Sequence, residues 1–241
     1  MRVFGSVLLA LWLAVSTPVF SLLALLSSPL PPHRRYQIIS QWSRLLIFAA
    51  RVFCGIRHRV IGMENLPAAP CVLLSRHESA WETVAYQTIF PPQAIVLKKE
   101  LLRIPFFGPG LARMSPIAIN RADGRRALRE VVAQGKQRLA DGFYVLVFPE
   151  GTRMQPRESR EYHIGGAFLA NKANCPAVPV AVDSGKYWPK NGFFKRAGLI
   201  TVRIGPPIDG ALPVKEINRK AREWIEAARR AGGQKNKPRR I

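Results

Sequence analysis

The chain has 241 residues, enough for one domain of ordinary size, a real core and an appendage. Lysine and arginine outnumber the acids 37 to 15, a formal charge of +22 that implies an anionic partner: nucleic acid, an anionic membrane surface or a phosphorylated substrate. The three cysteines, Cys54, Cys71 and Cys175, are scattered and contain no C-x-x-C, which excludes a disulfide framework and points to reduced thiols.

No Asp or Glu precedes Glu64, and Val3 to Pro32 holds no charged residue at all. That run exceeds the roughly 20 residues a spanning helix needs. It is also longer than the apolar region of about 7–15 residues in a cleaved signal peptide, so a retained membrane element is expected. Pro18 interrupts it, which fits a kinked span or two shorter pieces dipping into one leaflet. Pro29, Pro31 and Pro32 end it, and Arg34 and Arg35 then favour the cytoplasmic side of the inner membrane for the chain that follows. From Tyr36 to Ile56, Gln37, Gln41, Arg44 and Arg51 share a helical face while apolar residues fill the rest. This suits a helix in the interface with its arginines toward lipid phosphates, or a second buried helix packed on the first. Residues 1–56 are thus expected to form a membrane-associated helical segment.

After Arg57-His58-Arg59-Val60-Ile61-Gly62 the composition becomes that of a soluble α/β domain, residues 57–231. Short apolar strands are predicted at Cys71–Ser75, Ala94–Leu97, Pro116–Ile119, Phe143–Phe148, Ala177–Val182 and Leu199–Ile204. Helical stretches at Trp81–Ile89, Gly124–Ala140 and Ile164–Ala173 lie between several of them. Such alternation argues for a largely parallel sheet covered by helices. Pro179 inside a strand implies an edge, a bulge or a strand start. Val214–Ala231 reads as a final amphipathic helix, and residues 232–241 as a basic, disordered tail.

Within this frame one run stands out, Ser75-Arg76-His77-Glu78-Ser79-Ala80-Trp81-Glu82. A strand end in an α/β sheet delivers side chains to a crevice, and histidine is well poised to move a proton near neutral pH. A carboxylate on one ring nitrogen fixes the tautomer and frees the other nitrogen to accept. Residues five apart are separated by about 140° around a regular helix. His77 and Glu82 therefore meet only if His77 lies in the turn before the helix. The same residues also read as capping boxes, Ser75-x-x-Glu78 and Ser79-x-x-Glu82, in which the glutamate does no more than cap a backbone N–H. A zinc motif of the type H-E-x-x-H is excluded, because Trp81 stands where the second histidine belongs.

Three further groups follow strand ends: Ile119-Asn120-Arg121; Phe148-Pro149-Glu150-Gly151-Thr152-Arg153, whose glycine permits a tight turn; and Val178 to Val182. Arginine's planar fork suits phosphate oxygens. Alone, Arg121 also reads as a solvated surface residue, and Glu150 with Arg153 as an internal ion pair.

Together and in this order, the blocks resemble those of the glycerolipid acyltransferase family, over about Gly62 to Pro207. His77-x4-Glu82 answers the family's His-x4-acid motif, with glutamate where aspartate is usual. Ile119-Asn120-Arg121, Phe148 to Arg153 and Val178 to Val182 answer the other three blocks. Lys98-Lys99-Glu100-Leu101 and Ile104-Pro105-Phe106-Phe107-Gly108 are also typical. The resemblance implies an α/β fold with a mixed, largely parallel sheet flanked by helices and an N-terminal membrane-associated segment. It implies transfer of a fatty acyl group from acyl-CoA or acyl carrier protein to the hydroxyl of lysophosphatidate, giving phosphatidate. His77 would be the general base and Glu82 its orienting partner. Arg121, Glu150, Gly151, Thr152 and Arg153 would form the glycerophosphate site, with Lys99 and Lys98 as weaker candidates. No metal or other cofactor is implied, and no G-x-S-x-G elbow points to a serine acyl-enzyme. Other acceptors on the same fold are lyso-ornithine lipid, glycerol-3-phosphate or a lysophospholipid. The competing class is a basic, membrane-anchored binding protein, but the aromatic stacking surface of a nucleic-acid binder is not evident.

Overall fold

The structure, a computed structural model, describes residues 2–156 and 158–234; the side chains of Arg121 and of residues 232–234 lie outside that description. Seven strands form one sheet: β1 (Ile56–Ile61), β2 (Val72–Ser75), β3 (Gln93–Lys98), β4 (Ile117–Ile119), β5 (Tyr144–Val147), β6 (Ala177–Val182) and β7 (Gly198–Ile204). Their order is β1-β7-β6-β2-β5-β3-β4. The five strands from β6 to β4 run parallel; β7 is antiparallel to β6, and β1 pairs parallel with β7. The C-terminal ends of β2, β3, β4, β5 and β6 therefore open on one edge, where an α/β sheet places its ligands.

The central strands carry apolar residues on both faces because both faces are covered. Val72 and Leu74 of β2 join one core with Val145 and Val147, beneath helices α5 (Arg125–Ala140), α6 (Gly165–Ala173) and α7 (Val214–Gln234). Leu73 of β2 points the other way, with Leu146, Val178 and Val180, toward α3 (Trp81–Ile89) and the N-terminal helices. Two elements fall outside the predicted set. The strand β1 is an exposed basic edge, and its charges blunt further pairing. The short helix α4 (Phe107–Ala112) contains Gly108, Pro109 and Gly110, poor helix formers in isolation. Pro179 lies in an interior strand rather than at an edge. The antiparallel ladder with β7 begins only at Val180, and Pro179 faces the chain just beyond that strand, where Gly205 N donates to its carbonyl (2.8 Å).

The N-terminal segment is a hairpin of two helices, α1 (Arg2–Leu26) and α2 (Pro32–Cys54). Pro18 lies inside a single helix instead of dividing it. Pro32 at the first turn of α2 costs no hydrogen bond, and Gly55 in the left-handed conformation ends it, its N–H bonding to Arg51 O (3.0 Å). The helices approach closely at Gly5, where a Cβ would lie 2.0 Å from the Phe53 carbonyl oxygen. Farther along, Trp42 stacks near Trp12 and its Nε1 donates to Ser16 Oγ (3.1 Å). One side of α2 thus packs as a buried helix, while Arg44 and Arg51 stay exposed beside Leu45, Phe48 and Val52, so features of both expected arrangements coexist. The outer side of α1 exposes Phe4, Leu11, Val15, Leu22 and Leu26. Among the described residues it is the one helix long and apolar enough to cross a membrane. At the other terminus, α7 runs three residues past the predicted Ala231; the rest of the expected basic tail, 235–241, lies outside the described residues.

Candidate active site

The parallel end of β2 passes through Ser75 and Arg76 into His77, and α3 begins four residues later at Trp81. His77 therefore occupies the turn before the helix, and Glu82 in the first helical turn reaches back to it. His77 Nδ1 lies 3.0 Å from Glu82 Oε1. Glu82 Oε1 also accepts from the backbone N–H groups of Glu78 (2.5 Å) and Ser79 (2.7 Å). Its Oε2 accepts from the hydroxyls of Ser79 (3.0 Å) and Ser184 (2.6 Å). One carboxylate thus both caps the turn and binds the imidazole, so the two readings of this motif are compatible. Burial alone would raise the Glu82 carboxyl; the bond and charge of His77, the Ser184 hydroxyl and the Ser79 N–H outweigh it and hold the group below its ordinary value.

The His77 ring stacks on Phe148 (4.0 Å between centroids), and its carbonyl accepts from Met154 N (2.7 Å). These contacts join the turn after β2 to the turn after β5. Behind them lies Arg76, fully buried. Its Nε donates to Glu78 Oε1 (2.7 Å) and its Nη1 to Glu226 Oε1 of α7 (3.1 Å), while Nη2 donates to the carbonyls of Gln155 (3.1 Å) and Glu158 (2.8 Å). Glu78 Oε2 in turn accepts from Gly185 N (3.1 Å) after β6. One guanidinium therefore ties together four segments that meet at the histidine. A buried cation is tolerated only when so paired, and removing a partner from such a cluster costs about 3–5 kcal/mol.

In front of His77 opens a cavity of about 460 Å³. Its apolar wall comes from α1 (Phe20), α2 (Ile39, Trp42), α3 (Val84), β3 (Ile95, Leu97) and α4 (Phe107, Leu111). Its polar lining includes Gly151, Thr152, Arg153, Lys98 and Lys190, and no Asp or Glu. None of these three cations has an acidic partner among the described residues; Lys98 and Lys190 are exposed and Arg153 is half-buried.

The expected phosphate-site residues separate. Gly151, Thr152 and Arg153 line the same cavity as His77. Glu150 does not: it is buried on the far side with Oε1 3.8 Å from Arg76 Nη1, and burial pushes its carboxyl up to about 8. A carboxylate facing phosphate would repel it, and the fold turns this one inward instead. Lys99 faces a second depression with Glu100, Arg103, Asn120 and Asp123, whereas Lys98, one residue earlier at the strand end, reaches the cavity. The side chain of Arg121 lies outside the described residues. Sequence reasoning missed Ser184, which follows the fourth block by two residues, and Glu226, which no local pattern marks. Among the described residues no group of three His, Cys, Asp or Glu has a metal-binding arrangement.

Residues 57–183 match the family model described as Acyltransferase. The 1-acyl-sn-glycerol-3-phosphate acyltransferase of Pseudomonas aeruginosa is 42% identical over 226 residues, covering 91% of this chain and 88% of that protein. The Saccharomyces cerevisiae protein of the same name is 32% identical over 180 residues, 71% of this chain and 59% of the relative. The crystal structure of the 1-acyl-sn-glycerophosphate (LPA) acyltransferase PlsC from Thermotoga maritima superposes with a TM-score of 0.80, covering 98% of this chain and 97% of that one; at 19% identity this likeness concerns the fold. By the family-model match over residues 57–183 and by its near full-length relative, the chain belongs to the acyltransferase family.

Proposed function

We propose that the protein transfers a fatty acyl group from acyl-CoA or acyl carrier protein to the sn-2 hydroxyl of lysophosphatidate, giving phosphatidate. One observation carries this reading: His77 lines a cavity with a largely apolar wall whose charged lining residues are all cations, Lys98, Arg153 and Lys190, with no acid among them. That composition suits a substrate with a long alkyl chain and an anionic head, brought together at a base. An alcohol is a poor nucleophile until its proton leaves as the new bond forms. Nδ1 of His77 is held by Glu82, leaving Nε2 to take the acceptor's hydroxyl proton. The alkoxide oxygen attacks the thioester carbonyl, the tetrahedral species collapses, and the departing thiolate takes the proton back from the imidazolium. The Glu82 carboxylate stabilises that transient cation, as an acid does in any oriented histidine pair. Arg153 and Thr152 would meet the phosphate, with Lys98 and Lys190 adding charge. No cofactor is needed for these steps.

The helical hairpin supports a lipid acceptor. Both ends of α1 are fastened to the α/β domain: Lys195 N donates to Ser6 Oγ (2.9 Å), and Arg113 Nε to Ser28 Oγ (2.8 Å) just past its C-terminus. A helix so tied lies along the domain, its apolar outer side in one leaflet of the inner membrane, with the domain on the cytoplasmic side. The test is purified enzyme with labelled acyl-CoA or acyl carrier protein and a panel of lysophosphatidate, lyso-ornithine lipid, glycerol-3-phosphate and lysophosphatidylcholine. Lysophosphatidate should give the highest kcat/KM. Equal turnover of the phosphate-free lyso-ornithine lipid would overturn the assignment.

A further inference from the structure

Between Trp188 and β7 the chain forms a loop whose tip, Phe193-Phe194, has no place in either core. The rings meet edge to face (5.3 Å, 87°), yet each side chain's residue is half exposed, at 51% and 53%. The segment from Ser184 to Ile208 contains no acid, while Lys190 and Arg196 flank the tip and are both exposed. The tip is also rigidly built. Lys195 Nζ donates to the carbonyls of Gly192 (2.9 Å) and Phe193 (2.8 Å) and lies over the Trp188 ring (5.0 Å). Arg196 N donates to Tyr187 O (2.8 Å). The loop is therefore held in place without burying its two largest apolar side chains, which is costly in water and favourable only where something apolar covers them.

Its location identifies the cover. Lys195 N bonds Ser6 Oγ, which sets the loop beside the first turns of α1, where Val3 and Phe4 are exposed. At its other end the loop contributes Lys190 and Asn191 to the lining of the reaction cavity. We propose that residues 190–196 are a second lipid contact: Phe193 and Phe194 enter an anionic bilayer beside α1, while Arg196 meets the lipid phosphates. Apolar rings flanked by cations are complementary to an anionic interface. The contact holds the rim of the cavity against the bilayer, so that a lyso-lipid passes from membrane to His77 without crossing water. This consequence rests on the lipid-acceptor reading, whereas the contact itself does not.

Full-length enzyme bound to phosphatidylcholine vesicles containing phosphatidylglycerol provides the test. A tryptophan at the tip, Phe193→Trp, should add emission that brominated phospholipid quenches, measured as the difference from the parent protein. In Phe193→Ser/Phe194→Ser, the apparent KM for vesicle-borne lysophosphatidate should rise about tenfold, with kcat unchanged and with unchanged turnover of a short-chain, water-soluble lysophosphatidate. Absent quenching, or an unchanged vesicle KM, overturns the proposal. A defect seen only with acyl carrier protein as donor, without quenching, overturns it too and assigns the tip to an acidic protein. If the parent turns over neither acceptor, the acyltransferase reading falls, while the quenching result still decides the lipid contact.

Discussion

The turn bearing His77 separates two charged regions that obey opposite rules. Behind it, Arg76 is dry and paired with Glu78 and Glu226, and Arg229 is paired with Glu226 in turn (2.6 Å). In front of it, Arg153, Lys98 and Lys190 face a cavity without a single carboxylate. The difference shows what each charge is for. A guanidinium whose partners are all supplied by the fold is a structural joint, and its geometry is finished before any ligand arrives. Cations that reach a cavity rim without acids remain solvated and unpaired, and so are free to meet an incoming anion. Glu82 stands on the boundary, saturated by five donors from the protein yet acting on the front through one ring nitrogen of His77.

The sharpest break of this contrast is His77→Ala, which removes the one group joining the two regions. Turnover should fall by about 10³-fold or more with little change in melting temperature, since a general base supplies about 10²–10⁴. Retained turnover would move the chemistry away from this turn.

Glu82→Gln tests the boundary itself. Its carbonyl oxygen can still accept from the backbone and from His77, and the Ser79 and Ser184 hydroxyls can rotate to accept from its amide. Folding should therefore survive, while loss of the charge opposite the imidazolium lowers kcat by about 10²-fold; Glu82→Asp should keep part of the activity. Full turnover in the amide variant would reduce Glu82 to a helix cap.

On the front side, Arg153→Lys preserves charge and loses the fork. The KM for lysophosphatidate should rise about tenfold with kcat and acyl-CoA binding nearly constant. An unchanged KM and kcat would place Arg153 with the structural charges instead.

The back should answer in stability. Glu226→Gln removes the charge opposite the Arg76 guanidinium but keeps an accepting oxygen on a partly buried partner, so the melting temperature should drop by about 6 °C, corresponding to about 2 kcal/mol and less than outright loss of the partner, with the lysophosphatidate KM unchanged. Glu150 tests the same side through its dependence on pH. Its folded carboxyl is raised to about 8 from an ordinary 4.5, so the folded state holds the proton more tightly. That contribution is complete below 4.5 and is lost as pH rises through about 8. Relative to Glu150→Gln, which cannot titrate, the parent should lose on the order of 10 °C more in melting temperature between about pH 5 and pH 8, from about 4 kcal/mol of linkage. Parallel melting curves for the two proteins would show that Glu150 is ionised in both states.

Local information carried much of this protein. Central strands such as β2, apolar at residues 72–74 because both faces are covered, stand out without any neighbour in view. Pro29, Pro31 and Pro32 mark the break between the two N-terminal helices, although α2 begins at Pro32, four residues before the expected Tyr36, and ends at Cys54. The turn from β2 into α3 is equally local: His77 and Glu82 are five residues apart, and the strand end before them leaves one way to meet. Helix α4 and the edge strand β1 were not legible, since glycine, proline and charged residues carry no propensity for what packing imposes on them.

What the residues decided alone was therefore strands β2 to β7, the place where they end and the chemistry delivered there. Which charges face the cavity was decided by tertiary structure. Glu150 and Arg153 lie three residues apart in one block, yet one turns inward to Arg76 and the other lines the cavity with His77. Lys98 and Lys99 are adjacent and open onto different depressions. The partner that makes Arg76 a joint, Glu226, is 150 residues away. Side-chain direction at a loop depends on backbone angles set by contacts between distant segments. Composition and spacing hold no record of those contacts until the sheet brings the segments together.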